Sequence, residues 1–248
     1  MGRATRHASR ARSAVFAPLG DPGRAARVEQ RLAEAIRAGL LADGERLPSE
    51  TELASMLGVA TVTAREALVA LRAQGLVTTV RGRGGGSFVT RPKHPDENLL
   101  SSRLAAMSRV ELRDRGTVYR IILAGCAELA AERADESDVR DLRDLLVPAD
   151  EPDVARWRHA DSELFLSVAA LTQSARMTRE VVRLEADFGA VLRLPFADGD
   201  FRDETADRHA ALVQAIEARD GAAARSVVHR HVDDAMARVV ERHLEVRR

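Results

Sequence analysis

Lysine is almost missing from this chain: Lys93 is the only one among 38 basic residues. Together with the abundant alanine, that skew reads as a coding bias towards GC-rich codons, so arginine is not a choice made position by position. Cysteine is equally scarce. The single Cys126 excludes an internal disulfide, and its Ala-rich surroundings from Ile121 to Ala131 mark it as buried filler. No apolar run approaches the roughly 18–20 residues of a membrane span, so no membrane partner is expected. The Arg-rich N-terminus lacks the apolar core of a secretory signal, which makes the cytoplasm the expected location. Net charge is absent too, because 38 basic and 38 acidic side chains cancel over 248 residues.

That cancellation hides a division. Residues 1–95 carry 15 basic and 8 acidic side chains, a balance of +7, and residues 96–248 carry 23 and 30, a balance of −7. A basic third joined to an acidic remainder is a reason to suspect nucleic-acid binding by the basic part. The length allows one or two domains, each with its own core.

Residues 1–23 hold Arg3, Arg6, Arg10 and Arg12 without an apolar period and read as a disordered basic arm, either a bland tail or a source of phosphate contacts. From Arg24 the pattern turns helical: Val28, Leu32 and Ile36 recur every four residues, and Gly39 ends the run. Leu40–Pro48 reads as a loop. Ser49, with Glu52 three residues on, forms a capping box for a second, short helix that Gly58 stops. Thr61 starts a third helix through Ala64, Ala67, Leu68 and Leu71. Leu76–Val80 and Ser87–Val89 are β-prone and flank a Gly-rich turn, which predicts a hairpin. Helix, short helix, tight turn, helix and hairpin make a winged helix-turn-helix over residues 24–90. Residues 91–98, with Pro92 and Pro95, read as a linker. Residues 99–248 show no strand signal. Helices are expected near 99–115, 117–134, 137–147, 152–172, 175–194, 202–219 and 221–245, with breaks at Gly116, Pro148, Pro152, Pro195 and Asp220-Gly221. The expected fold is mainly α: three helices and a wing, joined to an all-α bundle.

A helix-turn-helix puts the start of its second helix into the major groove of double-stranded DNA. Here that start is Thr61-Val62-Thr63-Ala64-Arg65. Thr61 and Thr63 suit phosphates or base edges, and Arg65 suits guanine or phosphate. Ser49 and Thr51 open the preceding helix near the backbone, although Ser49 and Thr63 read equally well as simple caps. Arg81, Gly82 and Arg83 form a wing tip suited to the minor groove. The Gly-rich turn lacks the residues of a phosphate-cradling nucleotide loop.

In the second part, three helical stripes each carry one ionisable residue: Asp161 among Trp157, Leu164, Val168 and Leu171; His209 among Ala206, Val213 and Ile216; His231 among Val228, Ala235 and Val239. A buried ionisable group is costly unless paired or metal-bound. If the stripes converge, one Asp and two His form a candidate metal or anion site; taken singly, each His reads as a hydrogen-bonded core residue. His159 should point elsewhere, and His243 in the tail has no assigned role.

Leu47-Pro48-Ser49-Glu50-Thr51-Glu52-Leu53-Ala54, Leu57-Gly58-Val59, Thr63-Ala64-Arg65-Glu66-Ala67-Leu68, Gln74-Gly75-Leu76-Val77 and Gly82-Arg83-Gly84 occur in that order. They resemble the winged-helix domain of the GntR family. That resemblance implies a bacterial transcription regulator that binds palindromic operators as a homodimer. The family often has Arg at the positions of Thr51 and Thr61, while Arg65 keeps the third arginine. The second part resembles the effector domain of the FadR subgroup, called FCD, through Asp161 to Phe165, Arg208 to Ile216 and Arg230-His231-Val232. This implies a four-ligand metal site, of which Asp161, His209 and His231 match three. The fourth position is Phe165, which cannot ligate, so Zn²⁺ or another divalent ion would have three protein ligands and water. Asp161, Phe165, His209 and His231 also mark the expected effector pocket, for an organic or sugar acid. The expected function is a ligand-switched regulator, a repressor rather than an enzyme. The alternatives are a constitutive DNA binder with a degenerate pocket and a helical metallohydrolase.

Overall fold

Residues 15–16, 24–82, 84–90 and 97–246 are described by a computed structural model. The head is built as its periodicities dictate. In α1 (Arg24–Ala38), Val28, Leu32, Ala35 and Ile36 are buried as one face. That face packs on α3 (Thr61–Ala73) through Ala64, Ala67, Leu68 and Leu71. Between them lies α2 (Glu50–Leu57), opened by Ser49: Ser49 Oγ accepts from Glu52 N at 3.3 Å, and Glu52 Oε2 accepts from Ser49 N at 2.8 Å. Such caps are worth about 1 kcal/mol. Gly58 ends α2 at φ 65° and ψ 37°, a left-handed conformation that glycine adopts without steric cost. The chain bends by 112° there before α3, within the range of helix-turn-helix motifs.

Strands β1 (Val77–Val80) and β2 (Gly86–Val89) pair antiparallel, with Val77 opposite Val89 and Val80 opposite Gly86. The Leu40–Pro48 loop does more than connect. Arg46 bridges to Phe88, Leu47 N donates to Ser87 O at 2.9 Å, and Val89 N donates to Glu45 O at 2.8 Å, so the loop borders the free edge of β2. Val15 and Phe16, within the segment expected to be a disordered arm, form part of a helical turn and are buried. The rest of that arm, and residues 91–96 of the expected linker, lie outside the described residues.

The second part is entirely helical among the described residues, with α4 (Glu97–Ala106), α5 (Arg109–Arg133), α6 (Glu136–Arg143), α7 (Val154–Leu171), α8 (Ala175–Leu184), α9 (Gly199–Glu217) and α10 (Gly221–Val246). Two breaks differ from expectation. Gly116 does not divide helices; it lies inside α5, where a Cβ would come within 2.6 Å of Met236 on α10. α5 packs closely on α10 at this position, which holds the helix through the glycine despite about 1 kcal/mol of helix propensity. The actual break is at Met107-Ser108, where Ser108 Oγ accepts from Glu111 N at 3.1 Å. The second difference is in the expected 175–194 helix. After Leu184 the chain widens into a π-helical turn, Glu185–Gly189, then runs through Ala190–Leu192 into a 3-10 turn, Leu194–Ala197. Glu97 and Asn98, placed in the linker by sequence, already belong to α4. No single helix among the described residues is long and apolar enough to cross a membrane.

The head rests on the helical part through α1, which packs against α8 and the π turn. Ser162 Oγ on α7 donates across this seam to Ala38 O, the last residue of α1, at 3.0 Å. Cys126 is fully buried in α5, where burial pushes its thiol up to about 12, so it is inert filler.

Candidate functional site

On the head, α3 begins after Ala60 without a side-chain cap, so neither Thr61 nor Thr63 spends its hydroxyl in capping that helix. Thr61 and Arg65 are exposed and Thr63 is half-buried. Ser49 does act as a cap, and Thr51 stands exposed in the first turn of α2. Arg65 Nε donates to Glu50 Oε2 at 2.8 Å, which ties its guanidinium to the start of α2 while 63% of its side chain stays exposed. That bond takes one of the guanidinium's five donors. Sequence reasoning missed Glu50, because nothing in the spacing links it to a residue 15 positions on. Arg81 and Gly82 are exposed at the wing tip, where Gly82 has φ 101° and accepts the turn-closing bond from Gly85 N at 2.8 Å. Arg83 lies outside the described residues. A further basic group, Arg46, braces the wing by donating to Gly85 O at 2.8 Å.

In the helical part the three stripes converge. Asp161 Oδ1 lies 3.1 Å from His209 Nε2 and 3.1 Å from His231 Nε2, and all three residues are buried. The ligand-type atoms of the trio lie within 4.8 Å of one another. Burial alone would raise the Asp161 carboxyl; hydrogen bonds from the two imidazoles outweigh it and hold the group well below the usual carboxylate range. Burial lowers His209, so its neutral imidazole is favoured. Phe165, one turn beyond Asp161, packs edge-on to His209 with centroids 5.9 Å apart and lies 5.2 Å from His231. Phe201 covers His231 from another side at 6.2 Å. Among the buried polar atoms on the His-bearing helices without a hydrogen-bond partner are His231 Nδ1 and Thr205 Oγ1, one turn before His209.

A second buried layer, which the sequence did not indicate, surrounds this trio. Arg193, after the π turn, reaches Asp161 Oδ2 at 3.7 Å and Glu185 Oε2 at 2.5 Å. Glu185 also accepts from Tyr119, and its Oε2 lies 3.2 Å from Ser162 Oγ, whose single proton is shared between that carboxylate and Ala38 O at the end of α1. Burial and the neighbouring Glu185 raise the Tyr119 hydroxyl, keeping it a proton donor. Gly189 makes room for the ion pair, since a Cβ there would stand 2.6 Å from Glu185 Oε2 and 2.9 Å from Arg193 Nη2. Sequence periodicity could not find Arg193, because the π turn shifts the helical register between α8 and it, and Glu185 carries no spacing that links it to Tyr119 or Ser162. His159 faces away, beside Glu163 at 3.5 Å. His243 has a structural role: it is buried and bonds Met107 O at 2.9 Å, pinning the end of α10 to the α4–α5 break.

Comparison with known proteins follows the same two-part division. Residues 24–88 match the description "Bacterial regulatory proteins, gntR family", and residues 117–234 match "FCD domain". RmpR of Mycobacterium gastri, named as an HTH-type transcriptional regulator, is 35% identical over 82% of this chain and 76% of its own length. The HTH-type transcriptional regulator LutR of Bacillus subtilis is 26% identical over 85% of this chain and 100% of its own. Among solved structures, McbR/YncC of E. coli superposes with a TM-score of 0.53 at 17% identity, covering 89% of this chain and 99% of that one, which is a likeness of fold.

Proposed function

Since the chain belongs to the gntR family of bacterial regulatory proteins and carries an FCD domain, we propose that it is a ligand-switched repressor that grips a palindromic operator as a homodimer. It is a DNA-binding transcription regulator and not an enzyme. The supporting observation is the pairing of a reading face, exposed Thr61 and Arg65 with half-buried Thr63, with a buried polar trio, Asp161, His209 and His231, in a separate helical part. Ser49, Thr51, Arg81, Gly82 and Arg83 are assigned to the DNA backbone and minor groove. The protein works in the cytoplasm, where its operator is.

The trio fits a divalent metal such as Zn²⁺. Ligands at 2.0–2.1 Å in a tetrahedron stand about 3.3 Å apart, close to the 3.1 Å separations of Asp161 from both imidazoles. Asp161 Oδ1, His209 Nε2 and His231 Nε2 would hold it. The ion would supply a positive centre for an effector carboxylate, since Phe165 contributes no fourth ligand. Charge supports the pairing with an acid: Asp161, Glu185 and Arg193 sum to −1, so a divalent ion and a monoanion together reach neutrality in a buried place. Phe165 also favours a second reading, a metal-free pocket in which Arg193 and the imidazoles take the acid directly. Metal analysis of undialysed protein separates the two: a stoichiometry well below one per chain, unmoved by added Zn²⁺, rejects the metal. Operator affinity indifferent to every acid tried would make the protein a constitutive binder.

For the homodimer, α5 offers an apolar stripe of Val110, Val118 and Ile121, respectively 80%, 39% and 56% exposed, in line with Gly125, whose Cβ direction is open. Exposed aliphatics aligned on a long helix suit the matching stripe of a second copy.

A further inference from the structure

The outward face of α3 carries a side chain that the threonine and arginine assignments leave unused. Ala64, Ala67, Leu68 and Leu71 form the buried stripe of this helix. At about 100° per residue, Val62 stands about 170° from the middle of that stripe, so it points away from the protein. It is 58% exposed. On the same wheel Thr61 and Thr63 lie about 100° to either side of Val62, and Arg65 lies about 60° round on the Thr61 side. The Cβ atoms of a helix lean towards its N-terminus, so the isopropyl group of Val62 reaches towards the end that enters a groove.

Resting on the operator reading above, we propose that Val62 is a specificity-determining residue: it selects thymine in each operator half-site by packing its isopropyl group on the C5-methyl of the base. A helix held to its own protein by one stripe meets the floor of the major groove with the opposite stripe, while its flanks face the phosphate walls. Thr61 and Thr63 then turn their hydroxyls to phosphates, and Val62 lies over base edges. The bond from Arg65 Nε to Glu50 Oε2 draws that guanidinium towards the start of α2, to one side of Val62. A valine side chain offers neither donor nor acceptor. Thymine is the base that presents an apolar group, its methyl, in the major groove. Over cytosine N4 or guanine O6, Val62 would strip water from a polar group and return no bond, so the same side chain penalises the other bases.

The test begins with an operator selected from random DNA by the full chain. Each thymine is then replaced, in both half-sites together, by deoxyuridine, which lacks the C5-methyl and keeps the same pairing edge. Anisotropy titrations compare the two DNAs. At one thymine position the replacement should raise the Kd of the native chain by about three- to fivefold per half-site, the effect of one lost methyl contact. Val62→Ala should bind thymine and uracil at that position alike. Val69→Ala trims another exposed valine about 10 Å further along α3, and should keep the native ratio. If no thymine position shows the ratio in the native chain, or if Val62→Ala keeps it, Val62 does not read thymine and the proposal is overturned; the second result hands the methyl to a threonine. Both failures leave the operator reading standing, because the thymine operator is still bound. A chain that selects no operator overturns that reading, and the thymine contact with it.

Discussion

At the scale of single residues, chemistry is concentrated in few side chains. Arg65→Ala should remove specific operator binding while leaving the thermal midpoint nearly unchanged. Its bond to Glu50 is exposed and contributes little to stability, whereas a lost guanine or phosphate contact costs about 1–3 kcal/mol per half-site. Anisotropy titrations of native and variant protein on a selected operator decide it, and unchanged affinity would reject the recognition-helix assignment. Phe165→His restores a potential fourth ligand one turn from Asp161; it should tighten Zn²⁺ binding by more than an order of magnitude, read by competition with a chromogenic chelator. If Phe165→His leaves Zn²⁺ affinity unchanged, the trio is not a metal site. His209→Ala takes a hydrogen-bond donor from a buried carboxylate and leaves a cavity, so it should destabilise the fold by about 2–4 kcal/mol in urea unfolding.

The π turn gives the element scale its clearest case. The π turn Glu185–Gly189 adds a residue between Glu185 and Arg193, and the two meet beneath Tyr119 and beside Asp161. Gly189→Ala should therefore cost about 1–3 kcal/mol, because its methyl group displaces a buried ion pair. The α7–α1 contact is the other case. Ser162 follows Asp161 in sequence, and its one hydroxyl proton is shared between Glu185 and the last carbonyl of α1. Ser162→Ala should leave operator affinity of the ligand-free protein largely intact and weaken the effect of ligand on it; an undiminished response would exclude this route of coupling.

Across the whole molecule, pH acts in one direction on both groups of the trio whose shift is resolved. His209 has a folded pKa below the ordinary 6.5, so on acidification the unfolded chain takes its proton first, and stability falls as pH drops below about 6.5. Asp161, depressed in the fold, contributes stability that is present above the ordinary carboxylate range and lost as pH falls through it. The thermal midpoint should thus decline steadily below pH 6.5, and less steeply in His209→Gln. Val118→Asp/Ile121→Asp, at exposed positions, should leave the fold intact and turn a dimer into a monomer in sedimentation, with operator affinity lost alongside. The division of charge fits this arrangement: the acidic helical part is repelled by DNA, and the basic head meets it.

The sequence by itself determined whatever is local. Ser49 and Glu52 three apart make the capping box, Gly58 the turn, and apolar residues at helical spacing the buried faces, because these depend on neighbours within one or two turns. Asp161, His209 and His231 were legible individually as polar residues on apolar stripes. Their convergence within hydrogen-bonding distance was decided by how α7, α9 and α10 cross. Glu50 beside Arg65 and Arg193 beside Asp161 join residues from different elements, for which a linear spacing holds no signal. Gly116 shows the limit most plainly: propensity marks it as a break, and the packing of α5 along α10 overrules propensity, since the contact between two long helices outweighs about 1 kcal/mol.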